Sequence, residues 1–203
     1  MLLVSLLLVA STAACTGRTG SEPAKRSLSA TSPATASPTL SGPPSVPMRV
    51  EVTHVAGRLA APGRRTLAAK VGRTISAYVD AAFLTGRYPR SSFSTSFASS
   101  FTSGAARQAR GEQAVLTNQP FGRTTRSVRA TRRTAYLSVL APSQRVAGVT
   151  AAVDLVFAVD RGTAPPDRVE LRGRLLLTRD PAGAWRIFGY DLDRSQSRHR
   201  GGG

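Results

Sequence analysis

The run Val149-Thr150-Ala151-Ala152-Val153-Asp154-Leu155-Val156-Phe157-Ala158-Val159 alternates with a period of two, placing Val149, Ala151, Val153, Leu155, Phe157 and Val159 on one face. That period marks a β-strand with one buried side. Three neighbouring segments repeat it. Thr125 to Leu140 sets Leu137 and Val139 against Tyr136 and Leu140. Val169 to Leu177 sets Val169, Leu171, Gly173, Leu175 and Leu177 against Glu170, Arg172 and Arg174. Trp185 to Asp191 sets Trp185 and Ile187 against Arg186, Phe188 and Tyr190. The joints Ala141-Pro142-Ser143, Asp160 to Pro166 and Asp180-Pro181-Ala182-Gly183 carry turn chemistry. Joints this short imply antiparallel neighbours.

Upstream of Pro120 the periodicity changes. Met48, Val50, Val52 and His54 share the parity of a short opening strand, with His54 expected to be partly buried. Leu67, Val71, Ile75, Tyr78, Val79, Ala82 and Phe83 recur at three- and four-residue spacing, which predicts an amphipathic helix ending near Gly86 to Pro89. Phe93, Phe97 and Phe101, four apart, predict a second helix, and Ala105, Ala106, Ala109 and Ala114 to Leu116 a third. Helices followed by a strand meander read as an α+β domain whose sheet is covered on one face.

This element order, the first helix with Tyr78 and Phe83, and the closing Trp185-Arg186-Ile187-Phe188-Gly189-Tyr190-Asp191 resemble the nuclear transport factor 2-like (cystatin-like, SnoaL-like) domain of small actinobacterial lipoproteins and Mce-associated-like proteins. The resemblance covers about Val50 to Asp193. It implies a cone, with N-terminal helices packed on a curved antiparallel sheet and a concave pocket between them. Tyr78, Phe97, Phe101, Tyr136, Asp154 and Trp185 would line that pocket. Members of the superfamily use it for catalysis, for small ligands or for protein association, so the resemblance does not fix its content. Pairing into a homodimer, common in the superfamily, is a further expectation.

At the other end of the chain, Leu2 to Ala10 is apolar and leads through Ser11-Thr12-Ala13-Ala14 to Cys15, the only cysteine. An apolar stretch followed by small residues is the pattern of a secretory signal. It is shorter than the roughly 20 apolar residues that span a bilayer. The cysteine after Ala13-Ala14 resembles the lipobox of bacterial lipoproteins, although Thr12 stands where Leu is usual and no Lys or Arg precedes the run. The resemblance implies a signal peptide over 1–14 and a diacylglycerol on the Cys15 sulfur. Two acyl chains would hold the protein durably on the outer face of the cell membrane. A plainly secreted chain and an uncleaved anchor are the alternatives. Residues 15–47 then form a Ser/Thr/Pro/Ala-rich tether with too little apolar surface to order itself. The domain occupies 48–194, and 195–203, with His199, reads as a disordered tail.

Candidate chemistry is sparse: His54, Tyr78, Asp80, Tyr136, Asp154, Tyr190 and Asp191. The single usable histidine has no second one to pair with, and neither zinc spacing nor a Gly-rich phosphate loop is present. No catalytic residue, metal or cofactor is expected. Charge is more informative. The chain carries net +17, and between 48 and 194 it holds 23 basic against 10 acidic residues. No acid occurs from Gln113 to Val153, an interval containing Arg123, Arg126, Arg129, Arg132 and Arg133. Arg129 shares strand parity with Arg133, and Arg126 with Arg132, which predicts a positive stripe facing anionic headgroups, cell-wall polymers or an acidic envelope protein. Export and the lack of a reading motif argue against nucleic acid. The functional expectation is a non-catalytic cell-envelope lipoprotein acting as an interaction or accessory module. The alternative is binding of a small apolar ligand or lipid in the cone.

Overall fold

The computed structural model describes residues 45–162 and 165–197. The leader, Cys15, the tether through residue 44 and His199 lie outside the described residues. The elements are β1 (Arg49–Gly57), α1 (Ala61–Val79), α2 (Ser103–Gly111), α3 (Gln113–Leu116), β2 (Ser127–Ala141), β3 (Gly148–Asp160), β4 (Asp167–Arg179) and β5 (Trp185–Ser197). Sheet order equals chain order, from β1 to β5. The short turns join β2 to β5 as an antiparallel meander. β1 instead runs parallel to β2, because the chain crosses through all three helices between them.

The α+β class stands, but the cone does not. The sheet is mixed and open, with β1 and β5 as its two edges, and it neither closes nor curls into a cone. The space a cone would leave hollow is packed with rings. Tyr78 is fully buried and meets Phe83 and Phe101 edge-on at centroid distances of 5.9 and 5.4 Å. Phe83 in turn stacks on Phe157 of β3 at 4.9 Å. Such rings bury large apolar areas and gain further from edge-to-face geometry. The Tyr78 hydroxyl donates to the Leu116 carbonyl at 3.2 Å, which satisfies the polar atom that this ring carries inside.

Local chemistry explains the other departures. α1 has Pro62 in its first turn, where a missing N–H costs nothing. It passes into a π turn over Asp80–Leu84, closed by Thr85 N–H donating to the Asp80 carbonyl at 2.7 Å. The expected phenylalanine helix is only a short 3-10 turn segment, Thr95–Ser100. Its serines compete with helix bonds; Ser94 Oγ accepts from the Ser96 N–H at 3.1 Å. Phe97 and Phe101 reach the core regardless, because Thr102 N–H donates to the Ile187 carbonyl at 2.9 Å and fastens the segment to β5.

Three register shifts decide which side chains face inward. The shift between Val52 and His54 leaves His54 exposed rather than partly buried. The shift between Ala130 and Arg132 turns Arg133 inward while Arg132 stays outward. The third, between Leu176 and Leu177 opposite Phe188, carries Tyr190 to the helix-covered face, in edge contact with Phe101 at 5.8 Å. β5 also continues past Arg194, pairing Ser195, Gln196 and Ser197 with Glu170, Val169 and Arg168.

Gly173 interrupts the inward run of β4 opposite Leu192 and has φ +139°. A Cβ there would overlap the Asp191 carbonyl, so β5 approaches closely only because the side chain is missing. Gly173→Ala is expected to lower stability by about 2 kcal/mol or more, from strain at positive φ and from the displaced strand. The measurement is the midpoint of thermal or urea unfolding; an unchanged midpoint contradicts the assignment.

Candidate functional site

The residues expected to line one pocket occupy two sides of the sheet. Tyr78, Phe97, Phe101 and Trp185 are buried under the helices. Tyr136 is 45% exposed on the opposite face. Asp154 lies on that same face, receiving Arg132 at 2.8 Å and Arg172 at 3.4 Å. Arg172 also pairs with Glu170 at 2.5 Å, and Arg168 reaches Glu170 at 3.6 Å. This alternating ladder largely neutralises itself.

The buried titratable groups serve the fold. Burial raises the Tyr78 phenol well above the usual tyrosine range. Tyr190 is raised as well, first by burial and then by the bond it donates to Glu112 at 2.8 Å and by that carboxylate's charge. Arg194 is lowered to about 10 by burial. Its guanidinium donates to the carbonyls of Ala114 at 2.6 Å, Val115 at 2.7 Å and Thr117, and it lies over the rings of Phe83 and Phe121. Carbonyls at a helix end have no partner within the helix, and here an arginine supplies one for α3.

The predicted arginine stripe divides. Arg133 is 8% exposed and pairs with Asp80 of the π turn at 2.8 Å. Arg132 belongs to the outer ladder. Arg123 lines a separate cleft with Ser91, Pro120 and Thr124. Arg126 and Arg129 line one cleft, and Arg87 lines it too from the loop after the π turn. The bulge is the physical reason: inserting one residue before Arg132 breaks the parity that Arg129 and Arg133 share in sequence.

These three arginines line a cleft of about 720 Å³ with Leu84, Tyr88, Val128, Ala158, Asp160 and Pro166. It exists because β1 pairs only with Thr134–Ala141, leaving the first half of β2 without a neighbouring strand on that side. Among the described residues Ser45 and Val46 enter the gap: Ser45 Oγ accepts from the Ala130 N–H at 3.1 Å, and Val46 N–H donates to the Ala130 carbonyl at 3.3 Å. At the far end, Asp160 Oδ1 accepts from the Gly162 N–H at 2.7 Å. Gly162 has φ +83°, and a Cβ on it would collide with the Arg126 guanidinium packed across the turn. Arg87, Arg126 and Arg129 make neither an ion pair nor a side-chain hydrogen bond among the described residues. Among the described residues Asp160 is the one carboxylate in the lining.

Compared with known protein families, curated proteins and solved structures, the chain matches none. Among the described residues no helix is long and apolar enough to cross a membrane. The same residues contain no group of three His, Cys, Asp or Glu placed to hold a metal ion.

Two outcomes follow from the buried groups. Asp80→Asn leaves Arg133 buried without its carboxylate and is expected to cost about 1–2 kcal/mol, less than a fully buried pair because Asp80 is half exposed. Arg133→Met removes the charge with its site and should be close to neutral. Equal losses in the two urea titrations would contradict this. For Tyr78, the raised folded value means that its contribution is complete below the unfolded value near 10 and is lost as pH rises above it. Tyrosinate absorbance should therefore show Tyr78 ionising only with unfolding. Tyr78→Phe should lose about 1 kcal/mol at neutral pH, with the hydroxyl's bond to Leu116, while reducing the alkaline loss.

Proposed function

We propose that this chain is a cell-envelope lipoprotein, held through Cys15 on the outer face of the membrane, whose α+β domain is a non-catalytic interaction module that takes an anionic partner in the basic cleft. One observation carries the reading: Arg87, from the loop after the π turn, lines the same cleft as Arg126 and Arg129, and all three are left without carboxylate partners among the described residues. Cations gathered in one concavity repel each other and focus a positive field, and an anion arriving there relieves both effects. The outer ladder supplies no comparable attraction, since Asp154 and Glu170 already hold its arginines.

The interior supports the non-catalytic part of the reading. Tyr78 and Arg194 are bonded to main-chain carbonyls, and proton transfer would require a paired acid and base of matched strength. The anchoring part rests on the apolar run Leu2 to Ala10 and the small residues before Cys15.

Both parts are testable separately. Cys15→Ser should shift the protein from the membrane fraction to the soluble fraction and abolish labelling by palmitate; unchanged labelling contradicts the anchor. Arg126→Glu should elute from an anionic matrix at clearly lower salt than Arg174→Glu, an equal charge change on the outer face. Identical elution of the two variants would overturn the cleft as the contact site.

A further inference from the structure

We infer that the basic cleft is shaped for the phosphate group of an amphiphilic phosphate ester, and that this ester is an anionic phospholipid headgroup of the bilayer to which the chain is tethered. The inference rests on the cleft being an anion site and adds the identity of the anion. Three features of the cleft support it.

The first is donor chemistry. A guanidinium presents a planar fork of N–H donors that matches phosphate oxygens, and several of them around one point suit a tetrahedral anion better than a planar carboxylate. Arg87 lies in a loop, Arg126 immediately before β2 and Arg129 within it, and all three line the cleft. Gly162 permits the Arg126 position, because any side chain there would occupy the space its guanidinium fills.

The second is the apolar part of the lining. Leu84, Val128 and Pro166 are apolar and share the cleft with the arginines. A hydrated inorganic ion gains nothing from such a wall, whereas a phosphate ester with a glycerol and acyl stem covers it. At about 720 Å³ the cleft also exceeds what a bare phosphate occupies.

The third is where the chain leaves. Ser45 is itself part of the cleft lining and is fixed to Ala130, so the segment leading back to Cys15 departs from the cleft wall. Twenty-nine residues separate Cys15 from Ser45, and at up to about 3.5 Å per residue a chain of that length lets the domain reach the headgroups. An anchored domain on such a tether meets headgroups at high effective concentration, so a weak site is nearly always filled. Each arginine near an anionic surface contributes a binding factor of about fivefold.

The test uses the full-length lipidated chain in lipid nanodiscs. The readout is the rate at which phenylglyoxal modifies Arg87, Arg126 and Arg129, each referred to Arg174 on the outer face. Discs mixing phosphatidylglycerol into phosphatidylcholine should slow modification of the three cleft arginines by about fivefold or more relative to phosphatidylcholine discs. Arg129→Gln should weaken the protection of Arg126. Equal rates in the two discs overturn the inference. Inorganic phosphate added to phosphatidylcholine discs should give little protection; if it protects as well as phosphatidylglycerol, a free phosphate is the ligand and the lipid assignment fails. Protection by polyglutamate without protection by phosphatidylglycerol also overturns the headgroup but leaves the anion cleft standing. If none of the three anions protects, the cleft reading fails with it.

Discussion

The packing of Tyr78 among Phe83, Phe97 and Phe101, with Phe83 stacked on Phe157, governs the rest of this molecule. These rings come from α1, its π turn, the 3-10 turn and β3, so one cluster fixes four segments at once. Close-packed aromatics leave no room for solvent, and the single hydroxyl among them is already bonded to Leu116. An open sheet with helices on one face is the result.

Once the interior is sealed, the position of each charge follows from strand register. The bulge in β2 is the decisive irregularity. It sends Arg133 under the helices to Asp80, leaves Arg132 to Asp154, and releases Arg129 to the open end of the strand. The same sheet thus carries a neutralised ladder on its broad face and an unneutralised cleft at its margin. Their difference is one of pairing more than of arginine number, since exposed ion pairs stabilise little but do cancel a local field.

The meander was legible because its alternation is strict: Val149 to Val159 and Val169 to Leu177 fall on the expected faces residue by residue. The helix carrying Tyr78 and Phe83 was legible for the same reason, through its spacing. The cone was not, since element order constrains neighbours but says nothing about how far a sheet bends or what fills the space behind it. Phe93, Phe97 and Phe101 have helical spacing, yet the serines between them favour local bonds, so periodicity misled there. The cleft was half visible. Arg126 and Arg129 stood out in an acid-free interval, whereas Arg87 lies about forty positions earlier in a loop with no periodic signal. Parity also failed wherever a bulge intervened, at His54, Arg133 and Tyr190 alike.

Arg194 binds the end of β5 to the carbonyls of α3, and Ser45 binds to Ala130, 85 positions further along. Both edges of the sheet therefore depend on partners remote in the chain, and such topologies form slowly. A polypeptide emerging amino end first has no complete layer to bury until the segment from Trp185 to Ser197 is released. The β5 edge and the tie from Arg194 to α3 can be made only once that segment is free.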